Sequence, residues 1–147
     1  MLSYQTIFSR VLNEIDDLKE LSLDKNDLFD IYTERLHSVV GNPRVRKLFS
    51  SLSLDDEIQA IIFSLKNPID NESDEYFVLN ILTLGIAIEW LKPHVNSNKY
   101  TSLVFGGKEE KKLLDNYKNV TQRLSNMQTE LKKLICDYGY INNSYLH

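Results

Sequence analysis

Residues Tyr76 to Leu91 read YFVLNILTLGIAIEWL, a segment that is apolar around almost its whole circumference when wound as a helix. Such a helix has no face to give to water, so the rest of the chain must wrap it. A membrane span needs about 20 residues of this kind with few polar interruptions, and here Asn80, Thr83 and Glu89 fall inside a shorter run. The segment therefore reads as the central helix of a bundle. Lys92-Pro93 is expected to end it, because the residue before a proline is pushed out of the α region. Ahead of it, PIDNESDEYF has loop chemistry, with Ser73 as the expected N-cap.

The wrapping helices show in their spacing. Ile7, Phe8, Val11, Leu12, Ile15 and Leu18 fall near helical intervals over residues 3–21, and Leu28, Ile31, Tyr32, Leu36 and Val39 do so from about Asp24 to Val40. Gly41-Asn42-Pro43 stops the second helix and starts another piece, with Asn42 as cap and Pro43 at the first helical position. Leu113, Tyr117, Val120, Leu124, Met127, Leu131 and Leu134 step by alternating fours and threes, which is a heptad seam. Three repeats are short for a separate coiled coil, so the seam reads as a core-facing helix of the same bundle. Asp115-Asn116 is where its first turn can break, and HVNSNKYTSLVF before Gly106-Gly107 reads as one short helix.

One stretch is not helical in pattern. Ala60 to Leu65 leans to β and is bounded by Asn67-Pro68, which predicts a short β-hairpin or extended segment within 58–75. The fold class expected is mainly α: a single-domain helical bundle over residues 1–136 with a long C-terminal helix, followed by an extended C-terminal arm at 137–147. In that arm, DYGYINNSYLH, the apolar side chains are too many for a solvated tail, while Gly139 and Asn142-Asn143 are poor helix formers. Length and composition fit this scheme, since 147 residues with 42% hydrophobic and 26% charged can bury one core.

Net charge is −4, which argues against a chain whose main partner is nucleic acid. The signs are unevenly spread: residues 1–107 hold 10 basic against 16 acidic side chains, and residues 108–136 hold 7 against 4. Either one helix face is simply solvated, or it meets an acidic surface such as another copy's front half. Cys136 is the single cysteine, so no intramolecular disulfide is available. The opening MLSYQTIFSR lacks the pattern of a secretory signal.

Catalytic chemistry needs convergent groups, and the sequence offers few candidates. His37, His94 and His147 have no metal-ligand spacing and read as surface or capping residues, while Cys136 reads as a small buried apolar residue. FGGKEEKK lacks the second spaced glycine and the Ser/Thr of a phosphate-binding loop. Asp16-Asp17, Asp55-Asp56-Glu57 and Asp74-Glu75 are adjacent carboxylates that point about 100° apart on a helix, and read as helix-start and solubility charges. Arg44, Arg46 and Lys47, with the lysines of the last helix, give weak footing for DNA binding through phosphates. No enzyme activity, no catalytic residue, no metal and no cofactor is expected.

Taken together, YQTIFSRVLNEIDDLKELSL, IAIEWLKPHVNSNKYTSLVFGGKEEKKL and LKKLICDYGYINNSYL resemble small proteins encoded beside the capsid and portal genes of tailed bacteriophages, the head-to-tail connector (adaptor or neck) class. The resemblance covers roughly two thirds of the chain, and residues 51–75 depart from it most. It implies a mostly helical structural subunit in a homo-oligomeric ring of about twelve copies. That ring binds the portal protein and a further neck or tail protein, and DNA passes its channel without sequence-specific binding. The implied location is the virion neck, after assembly in the host cytoplasm, with no membrane partner. It also implies that the arm docks on a neighbour through Tyr138, Tyr140, Ile141, Asn142, Asn143, Tyr145 and Leu146. The alternative is a small phage-encoded helical regulator or inhibitor that docks on one protein partner.

Overall fold

Ser3 ends the first strand and starts the first helix. The computed structural model describes residues 1–15, 25–104 and 108–141, and in it β1 (Leu2–Ser3) passes directly into α1 (Tyr4–Ile15). The Ser3 hydroxyl oxygen accepts the Thr6 N–H at 3.2 Å, an N-cap bond that satisfies one of the helix's orphan donors. Tyr4, Ile7, Phe8, Val11 and Ile15 form the buried stripe of α1. Residues 16–21, which the spacing also assigned to this helix, lie outside the described residues.

Next comes α2 (Lys25–Val40), whose Tyr32, Leu36, Val39 and Val40 are buried. The Gly41 N–H closes it on the His37 carbonyl at 2.9 Å. Asn42 then caps α3 (Pro43–Arg46), accepting the Arg44 N–H on its Oδ1 at 3.0 Å, as the Asn-Pro pair predicts. Aromatic rings tie α1 to α2, with Phe8 4.9 Å from Phe29 and 5.6 Å from Tyr32 between centroids.

A three-stranded antiparallel sheet in the order β1-β3-β2 covers one end of the bundle. β3 (Ala60–Leu65) is the β-leaning run of the sequence, but its hairpin partner β2 (Phe49–Asp55) lies upstream of the 58–75 window. Residues 71–75 of that window are helical instead. Pairing of Leu52 with Phe63 and Leu54 with Ile61 turns these side chains toward the core, while Ser51, Ser53, Ile62 and Ser64 face out. The connecting turn is braced by the Asp55 carboxylate, which accepts the Glu57 and Ile58 N–H groups at 3.0 and 3.3 Å. Gln59 follows in the left-handed region at φ 55°, and its carbonyl accepts the Tyr4 N–H at 2.9 Å.

Two long helices complete the chain, α4 (Asn71–Val104) and α5 (Lys108–Ile141). The N-cap of α4 is Asp70 rather than Ser73: its Oδ1 accepts the Ser73 N–H at 2.7 Å. Buried residues occur all round α4 from Phe77 to Leu91, with α1 and α2 on one side and α5 on the other. Asn71–Pro93 has the length and apolarity of a membrane span, yet 61% of its most apolar window is buried inside the fold. Its circumference is used by neighbouring helices, as the central-helix reading requires.

Lys92-Pro93 does not end α4. The helix continues to Val104 and absorbs the separate short helix expected there. Proline removes one backbone bond and disfavours α geometry before it, but α4 and α5 form the most extensive pairing in the fold. That packing outweighs the local preference. The backbone of α5 is likewise continuous through Asp115-Asn116, with Val120, Leu124, Met127, Leu131 and Leu134 of the heptad seam packed against the core.

Candidate functional site

The end of α5 carries the residues singled out for docking. The helix runs past Cys136 and through Gly139 to Ile141, so residues 137–141 are helix rather than extended arm. Tyr138 lies flat on Phe77 of α4, with centroids 3.9 Å apart and planes 11° from parallel. Its hydroxyl donates to Asp74 Oδ1, which also accepts the Ile69 N–H at 3.0 Å. A mid-helix glycine costs about 1 kcal/mol, and the stack plus a hydrogen bond to a buried carboxylate offset it, which explains why α5 tolerates Gly139. Tyr138 is thus spent within its own bundle. Tyr140 and Ile141 stand in the last turn of α5, and Asn142, Asn143, Tyr145 and Leu146 lie outside the described residues.

Asp74 is the residue that sequence patterning misread. Placed among first-turn surface charges, it is 8% exposed and holds two donors. Burial, and then the bond to Asp74, push the ionisation of Tyr138 well above the ordinary tyrosine range. Nothing in the sequence links positions 74 and 138, because the pairing exists only once α4 and α5 lie antiparallel. Cys136 also differs from expectation: it is exposed, on the side of α5 away from the core.

A second polar centre joins Tyr4, Asp56 and His37. The Tyr4 hydroxyl donates to Asp56 Oδ1 at 2.6 Å, and His37 Nε2 lies 3.0 and 3.1 Å from the two carboxylate oxygens. Bonds from Tyr4 and then His37 hold the Asp56 carboxyl below its ordinary value. Burial, and next the bond to Asp56, push Tyr4 well up. The carboxylate is engaged by two donors from two helices, which pins the β2–β3 turn to α1 and α2. Among the described residues, no group of three or more His, Cys, Asp or Glu side chains is arranged to hold a metal ion.

A groove of about 370 Å³ opens between α2–α3 and the α4–α5 pair. Val39, Val45, Ile88, Leu131 and Ile135 give it an apolar lining, and Arg44, Lys92, Lys132 and Glu89 stand around it. Gly85 lies at its base because α2 comes so close to α4 that a Cβ there would meet Val39 Cγ1 at 2.5 Å. Lys92 pairs with Glu89 at 3.0 Å, whereas Arg44 and Lys132 have no ion-pair partner among the described residues. The groove thus mixes these apolar side chains with polar Ser38, Asn42 and Gln128 and with the cations Arg44 and Lys132, a combination suited to a protein segment carrying both an aliphatic side chain and a carboxylate.

Comparison with protein-family models, curated proteins and solved structures gives no match to this chain.

Proposed function

We propose that this chain is a structural assembly protein, a subunit of a tailed-bacteriophage head-to-tail connector ring that binds the portal and extends the DNA channel. The observation that carries the reading is the reach of the α4–α5 hairpin. Trp90 of α4 meets Arg123 of α5, with the guanidinium 5.4 Å from the ring centroid. Among the described residues Leu91 is the last of α4 in the core cluster, and the helix goes on to Val104 and returns from Lys108. At 1.5 Å per residue the backbone of α4 runs about 20 Å beyond Leu91. Paired helices of this length can offer faces beyond their mutual contact to other polypeptides. The resemblance of three sequence segments to neck proteins supplies the identity of those polypeptides: further copies, the portal and a neighbouring neck or tail protein.

Mass spectrometry of mature particles of the phage that encodes the chain tests the reading. The expected result is a virion component present in about a dozen copies, and ring assembly should weaken when Tyr140 and Tyr145 become alanine. Absence from purified particles overturns it. Absence combined with a stoichiometric effect on one enzyme is the outcome a helical regulator would give.

A further inference from the structure

The β2–β3 turn presents an aliphatic side chain among carboxylates. Ile58 is 59% exposed at the tip, beside Asp55, Asp56 and Glu57. Asp55 is used in bracing the turn and Asp56 in holding Tyr4 and His37, so Glu57 is the carboxylate left facing outward. The turn is consequently a preorganised, acidic knob with one apolar point. It cannot fill the groove of its own chain, since the bonds to Tyr4 and His37 hold it elsewhere and leave Ile58 in solvent.

We propose that the groove between α2–α3 and α4–α5 receives the β2–β3 turn of a second copy of this chain. In that contact Ile58 enters the apolar lining and Glu57 meets Arg44 and Lys132 at the edge. Charge complementarity argues for this occupant: Arg44 and Lys132 at the groove have no ion-pair partner among the described residues, and Glu57 is the outward-facing carboxylate of the turn. Position argues for its symmetry. His37 holds the turn, while Ser38 and Val39 line the groove. At about 100° per residue, Ser38 lies about 100° and Val39 about 160° around the α2 axis from His37. Knob and socket are then on different sides of α2, which makes the contact head-to-tail, and head-to-tail contacts build closed rings when the rotation closes. The inference deepens the connector reading and rests on it for ring closure.

Sedimentation velocity on the full chain, from micromolar to roughly millimolar, tests the contact. Glu57→Lys and Lys132→Glu, both at exposed positions, should each weaken self-association at least about tenfold, with unchanged far-ultraviolet circular dichroism. An equimolar mixture of the two variants should recover it, because each supplies the half the other lacks. Association indifferent to both substitutions, no recovery on mixing, or a wild-type monomer throughout that range overturns the proposal. The two failures separate cleanly. Particles that contain the chain while the substitutions have no effect sink this contact alone, and a confirmed contact with empty particles sinks the neck reading alone.

Discussion

The Tyr138 hydroxyl donates to Asp74 Oδ1 at 2.5 Å across 64 positions of sequence, closing the far end of the α4–α5 hairpin onto the start of α4. Tyr138→Phe keeps the stack on Phe77 and removes the donor. Asp74, buried at 8% exposure, would then retain only the Ile69 N–H of its two partners. A buried carboxylate short of a donor costs about 1–3 kcal/mol, so urea denaturation should show a loss of that size. Hydrogen exchange should localise the damage to the last turns of α5, near 135–141. A variant with wild-type stability and protection would show that the helix end is held by something other than this bond.

The Tyr4–Asp56 pair sets the pH range of stability from both sides. Tyr4 and Tyr138 ionise above their ordinary 10.0 in the folded chain, so the stability each contributes is complete below pH 10.0 and is lost as pH rises through the raised folded value. Asp56 ionises below its ordinary 3.8, so its contribution is complete above pH 3.8 and is lost as pH falls through the lowered folded value. The acid-side effect is small because Asp56 is largely exposed. Spectrophotometric titration should therefore show Tyr4 and Tyr138 among the tyrosines that ionise late and together with unfolding. Tyr4→Phe should reduce the late step by one. Eight tyrosines titrating together near pH 10.0 would contradict the assignment.

Gly85 lets α2 approach α4, and the neighbour it admits is stiff. A Cβ at 85 would lie 2.5 Å from Val39 Cγ1 and 3.0 Å from Cγ2. Valine's χ1 has little freedom to move aside, so Gly85→Ala should destabilise by about 1–3 kcal/mol despite alanine's better helix propensity. Val39→Ala in the same chain should recover part of that loss, and a double-mutant cycle in thermal unfolding would measure the coupling. Additive effects would mean the helices simply move apart.

Local rules decided much of this fold because they depend on neighbours in the chain. The buried stripe of α1, the Asn42–Pro43 start of α3, the extended run Ala60–Leu65 and the all-round apolar character of α4 each follow from residues a few positions apart. Two readings failed where a distant partner outweighed a local preference. Pro93 and Gly139 both sit inside helices, the first supported by packing along α5 and the second by the Tyr138 anchor on Phe77 and Asp74. β2 shows the Ser51–Asp55 alternation of a strand, but lies upstream of the window where the hairpin was expected and pairs with β3.

The possible contact surfaces were even less legible. The sequence alone determined that this chain must wrap a central apolar helix with amphipathic ones, since a helix with no polar face cannot be left in water. It also determined the charges available at each position. Only the tertiary structure decided that Asp74 is a buried acceptor, that Asp56 joins two helices, and that residues from α2, α3, α4 and α5 surround one cationic groove. The reason is physical: spacing fixes which side of a helix a residue occupies, but what that side meets depends on how separate helices pack, and no local interval encodes it.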